Sequence, residues 1–194
     1  MRVSREKARE NRERVVRASS TLFRQKGVDG VAIGELMAEA GLTHGGFYKQ
    51  FGSKAELVQE ACAVALQETL AFWDGYLGQA EDPQAAFIRA YLSQRHSDEV
   101  ATGCLLPALA GEARREPPAV RDVFVDAIGA YADRLDQPVS QRSDASRERA
   151  LATLSSLVGA LVLSRASNDP QLSADILDAT RAHILTARKT AQPI

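Results

Sequence analysis

The sequence predicts an all-α chain in two parts, and three observations carry that prediction. Apolar residues recur at three- and four-residue spacings in almost every long segment, the period of helices that bury one face. No run qualifies as a strand with a partner. The charge also divides: residues 1–60 carry a net +3 and residues 61–194 a net −4, although all 194 residues together carry only −1. Charge halves of opposite sign suggest different tasks for the two parts.

The elements follow in order. From Ser4, a candidate N-cap, a charged helix acquires an apolar stripe at Val15, Ala18, Leu22 and Phe23, then meets Gly27, a helix-stop signal. Nine of the chain's first 26 residues are Arg or Lys against three Glu, a pattern that a solvated face with Glu–Arg pairs would also produce. After the Asp29-Gly30 turn, a short helix runs from Ile33 to Ala40 and stops at Gly41; Thr43 can cap another that ends near Phe47-Tyr48. Gly52-Ser53 opens a long helix from Lys54 to Leu77, and Pro83 starts one carrying Phe87, Ile88, Tyr91 and Leu92. Leu105 to Glu112 is short, with a bend expected at Pro107.

After Pro117-Pro118 the stripe Val120, Val123, Phe124, Ala127, Ile128, Tyr131 and Leu135 is the cleanest amphipathic pattern in the chain. Asp136 to Ser146 reads as a loop, and helices at about 145–166 and 172–189 close the sequence. The first of these two is apolar around more of its circumference than one core requires, which points to a second copy of the chain as its partner.

Composition excludes several classes. With 45% apolar and 25% charged residues the chain is an ordinary globular one. Cys62 and Cys104 make no C-x-x-C pair and no Cys/His cluster, so neither a disulfide framework nor a metal is expected. Apolar runs are interrupted and the Arg/Glu-rich start holds no signal segment, so the expected location is cytoplasmic, with no membrane partner. The two glycines, Ser and Lys of residues 46–54 lack phosphate-loop spacing, and His44, His96 and His183 fall in no catalytic motif. No enzyme, catalytic residue or cofactor is expected.

Residues 32–51, AIGELMAEAGLTHGGFYKQF, form two short helices around a glycine turn, the pattern of a helix-turn-helix. Leu36, Met37, Ala40, Leu42, Phe47 and Phe51 supply its core, and Ala38 is small where the helices would cross. The outer side of the second helix then carries Thr43, His44, Gly45, Tyr48 and Lys49. Hydroxyls and cations suit phosphates, and His44 suits a base edge in a DNA groove. Gly45-Gly46 would let the backbone approach closely, and Lys54 can reach the same phosphates.

Residues 10–60 resemble the tetracycline-repressor (TetR) family of transcriptional regulators. The likeness rests on Ala18, Leu22-Phe23 and Gly27, on Leu36 to Thr43 through the turn, and on Phe47 to Leu57, FYKQFGSKAEL. It implies that Thr43, His44, Tyr48, Lys49 and Lys54 contact DNA, with Tyr48 mainly at phosphates. It also implies a homodimer through the last two helices, and a small molecule that moves the helix at 54–77 and releases DNA. Two residues depart from the family pattern. Ala32 stands where a Thr usually begins the second helix, removing a cap of about 1 kcal/mol and a phosphate contact, and Gly34 weakens the same helix. Arg12 or Arg17 is expected to supply the missing phosphate contact.

The fold expected is therefore all-α, with a three-helix helix-turn-helix DNA-binding domain at 1–60 and a helical ligand-binding and dimerisation domain at 61–194. Phe72, Trp73, Tyr76, Tyr91, Phe124 and Tyr131 are pocket candidates, on resemblance more than on spacing. Cys104, at an expected helix N-terminus, joins them as a possible thiol sensor. The function expected is a ligand-released repressor on a pseudo-palindromic operator; the alternative is a dimeric helical ligand-binding or interaction protein that has lost operator reading.

Overall fold

The structure, a computed structural model, describes residues 5–136 and 143–191, all helix and connection without a strand. Part of the expected loop at Asp136–Ser146, and the expected cap Ser4, lie outside the described residues. The helices are α1 (Arg5–Lys26), α2 (Ile33–Glu39), α3 (Lys54–Leu77), α4 (Pro83–Tyr91), α5 (Gln94–Asp98), α6 (Leu105–Ala113), α7 (Pro118–Leu135), α8 (Asp144–Ala166) and α9 (Pro170–Ala191), with a 3₁₀ segment at His44–Lys49.

Local chemistry sets the ends. α1 stops because Gly27 adopts φ +76°, a left-handed conformation that costs glycine nothing, while its N–H returns to the Phe23 carbonyl at 2.9 Å. Ala32 precedes α2 with no side-chain cap. Ser53 accepts from the Glu56 N–H at 3.1 Å to open α3, Asp82 accepts from Ala85 N–H at 2.9 Å to open α4, and Ser143 and Ser146 form a reciprocal capping box on α8. α5, absent from the sequence reading, is capped by Ser93.

The chain packs as two compact units. One combines residues up to Thr69 with Ala101–Val125, the other Leu70–Val100 with residues from Asp126 onward. In the first, Val15, Phe23, Leu36, Met37, Phe47, Phe51, Leu57 and Val58 are fully buried, each worth about 1.5–3 kcal/mol relative to exposure. α6 belongs with them: Glu112 Oε2 accepts from the Val28 N–H at 2.8 Å, and buried Arg24 donates to the Gly103 carbonyl at 3.0 Å.

In the second unit α8 and α9 pair side by side, with α5 against α8 and α4 against α9. Three buried hydroxyls join these helices, Ser97 to Ser164 at 2.9 Å and Ser164 to Ser173 at 2.7 Å. Arg165 donates to the carbonyls of His96 at 2.8 Å and Ser97 at 3.0 Å, so the C-terminal end of α5 is held as well. α8 corrects one expectation: by length and composition it could cross a membrane, though only 33% of its apolar stretch is buried within the chain. Leu151, Val162 and Leu163 are exposed on it, and Leu172 on α9.

Candidate nucleic-acid interface

The turn between α2 and the 3₁₀ segment is built by Gly41 at φ +68°, with Leu42 N–H returning to the Met37 carbonyl at 2.8 Å. Phe47 anchors the segment from below, stacked on Phe51 with ring centroids 5.4 Å apart. Thr43 occupies the N-cap position, but its side chain makes no cap hydrogen bond, which corrects the expected role and leaves the hydroxyl outward. Thr43, His44, Gly45, Tyr48 and Lys49 are all exposed, Tyr48 by 69%. All five reach solvent around the buried Phe47.

The paired glycines do different work. A Cβ on Gly46 would come within 3.3 Å of Met37 Cε, whereas one on Gly45 would meet nothing within 4 Å. Gly46 is therefore the close-approach residue, and Gly45 leaves the outer backbone bare. Ala38, expected at the crossing, is exposed instead.

Two cations are held inward. Lys54 Nζ donates to the carbonyls of Val28 and Val31, both at 2.7 Å, bracing the α1–α2 connection. Arg12 is more thoroughly engaged. It donates to the Gln50 carbonyl, to Glu56 Oε1 at 2.7 Å, and to both oxygens of Glu60, Oε2 at 3.2 Å. Its guanidinium also lies 4.2 Å from the centre of the Phe51 ring. Burial lowers the Arg12 pKa, but the hydrogen bonds and charges of Glu56 and Glu60 outweigh it and raise the value. Glu56 is shifted down, first by its bond from Arg12 and then by the Gly52 N–H at 2.7 Å. Arg12 is thus no spare phosphate ligand; Arg17 is exposed, 3.5 Å from Glu68.

The pocket candidates separate. Trp73, Tyr91 and Tyr131 are buried in the second unit with Phe87 and His96; Trp73–Phe87 centroids lie 4.8 Å apart and Tyr91–His96 4.6 Å. The Trp73 indole N–H is buried without a hydrogen-bond partner among the described residues. His96 Nδ1 lies 2.8 Å from the Tyr91 carbonyl, which can only accept, so that nitrogen carries the proton. Burial first, with the Arg165 charge, pushes His96 down to about 4 against the Tyr91 bond and Glu99. Phe72 and Tyr76 lie at the edge of this cluster: both are exposed and stack on each other with centroids 6.2 Å apart, while each also meets the Trp73 ring, at 5.2 and 6.1 Å.

Cys104 and Phe124 are buried but belong to the other unit. Cys104 sits at the N-cap of α6 without a side-chain cap bond. Cys62 is buried too, which pushes its thiol up to about 12, away from reactivity. His96 carries one local sign in the sequence, Ser93 three residues earlier, a cap that fixes its place on α5.

The family of bacterial regulatory proteins called tetR matches residues 15–61. An uncharacterized HTH-type transcriptional regulator of Mycobacterium tuberculosis is 30% identical over 167 residues, covering 81% of this chain and 86% of that one. Among solved structures, a TetR transcriptional regulator from Chloroflexus aurantiacus is 25% identical with a TM-score of 0.78, covering 93% of this chain and 95% of that one. One from Cytophaga hutchinsonii, 18% identical, has the same fold at a TM-score of 0.77, covering 96% and 98%.

Proposed function

The chain belongs to the TetR family of bacterial regulators and is a DNA-binding transcriptional regulator without catalytic activity, and from that premise we propose a homodimeric repressor released from its operator by a small molecule. The observation that carries the DNA half is the exposed face Thr43, His44, Gly45, Tyr48 and Lys49 on its buried Phe47 floor. Two such faces, one per subunit, would enter successive major grooves of a pseudo-palindromic site. Lys54 acts behind them by holding the α1–α2 connection, with its remaining N–H available to a phosphate.

The dimer forms through α8 and α9, where Leu151, Val162 and Leu163 are left exposed on α8 and Leu172 on α9. The effector site lies around Trp73, Tyr91 and Tyr131, supported by the buried Trp73 indole N–H, which has no partner among the described residues. A ligand there must bind the non-operator arrangement more tightly than the operator-bound one, since equal affinity shifts nothing. Helix α3 supplies residues to both units and is the simplest element to be shifted. The working division stays at residue 60, reading head before it and sensing body after it, in the cytoplasm where the family acts.

Gel retardation of DNA from beside the protein's own gene tests the reading. The native chain should retard that duplex in preference to a scrambled one, with affinity falling as salt rises. Tyr48→Ala with Lys49→Ala should abolish the shift. Equal affinity for scrambled DNA, or no binding at low salt, would leave only a helical ligand-binding protein.

A further inference from the structure

We infer that Arg12 is a positioning residue for operator reading: its guanidinium fixes the junction between the 3₁₀ segment and α3, and so the angle at which Tyr48 and Lys49 meet DNA. This rests on the operator-reading function proposed above. The junction is short, Gln50 to Ser53. Within it, Gln50 and Phe51 N–H return to the Phe47 carbonyl at 2.8 and 2.9 Å, and the Gly52 N–H goes to Glu56 Oε2 at 2.7 Å. The Gln50 carbonyl accepts from Arg12, and the Phe51 ring lies beneath the same guanidinium. A single side chain from α1 therefore grips both residues that leave the reading segment, and Glu56 and Glu60 of α3 grip that side chain in turn.

The bond inventory separates this role from direct DNA contact. A guanidinium has five N–H donors. Four bonds are made here, to Gln50, to Glu56 and twice to Glu60. Two carboxylates around one cation also leave the local charge negative, which opposes a phosphate. A lysine could not substitute, because a point charge lacks the planar fork that reaches a carbonyl and two carboxylates at once and stacks on a ring.

The test uses the full-length protein and a duplex that the native chain selects from a randomised pool. Arg12→Lys and Arg12→Gln should each weaken binding to the selected duplex about tenfold, the size of one lost well-aligned contact. Binding to scrambled duplex at low salt should stay unchanged, as should the slope of log affinity against log salt. A phosphate contact would instead weaken both duplexes equally and flatten the slope by about 0.9, overturning the assignment. So would variants that melt earlier yet, when assayed well below melting, bind the selected duplex like the native chain. Full activity of Arg12→Lys would also overturn it, since charge alone would then suffice. Should the Arg12 variants fail to fold, Glu60→Gln, which keeps Arg12 in place with a weaker grip, should lose affinity for the selected duplex alone; unchanged selectivity there counts against the inference. A native protein that selects no duplex overturns the operator reading itself, and this role with it.

Discussion

Acidification should destabilise this protein through His96 before most carboxylates begin to titrate. The imidazole is buried, with its pKa held at about 4 against an ordinary 6.5. A base depressed in the fold binds a proton more readily when unfolded. Between those two values the unfolded chain therefore holds the extra proton, and stability falls as pH drops below 6.5. At 1.36 kcal/mol per unit the full loss is about 3 kcal/mol, complete below the folded pKa. From about pH 7.5 to about pH 5 the share lost is about 2 kcal/mol, a substantial part of a net stability of about 5–15 kcal/mol. The assay is urea unfolding at fixed protomer concentration, comparing the native chain with His96→Gln, whose amide can still donate to the Tyr91 carbonyl. The variant should lose about 2 kcal/mol less over that interval. Parallel pH curves for the two proteins would refute the claim that His96 is buried neutral.

Other perturbations reach different parts of the fold. Leu163→Glu alters a residue 60% exposed on α8; sedimentation should show monomer with unchanged helical circular dichroism, and a surviving dimer would exclude this face from the interface. Gly27→Ala combines φ +76° with a Cβ 2.5 Å from Glu112 Oε1. Denaturant unfolding should show a loss of about 1–3 kcal/mol; no loss would mean that the turn accepts an L side chain.

The long elements were legible because their periods are long. The apolar pattern of residues 54–77 extends over more than six turns, and α3 has those bounds. α5 was not legible, since five residues are too few to display a period. The six residues His44–Lys49 could not distinguish α from 3₁₀ winding, and two of them are glycine, which weakens the α preference.

The site residues were legible by type and not by direction. Phe72, Trp73 and Tyr76 all look like pocket aromatics, but each step along a helix turns the side chain by about 100°, and only Trp73 faces inward. Arg12 looked like one more cation in a basic run, because the carboxylates that bind it stand 44 and 48 residues later. The inward bonds of Lys54 were hidden for a related reason: its partners lie in a connection, where backbone carbonyls leave no mark in the sequence.

The buried hydroxyls of Ser97, Ser164 and Ser173 act as a key that stops α8 from rolling about its own axis. A smooth apolar contact would tolerate rotation, whereas a hydroxyl turned out of line would leave its neighbours unsatisfied, at about 1–3 kcal/mol each. Which residues α8 offers outward is therefore settled inside one protomer before any second copy arrives. In the proposed dimer, association would then begin from an already oriented surface and lose little freedom on docking. Because hydroxyls carry no charge, that orientation should hold across the salt range over which a grip on DNA is gained and lost.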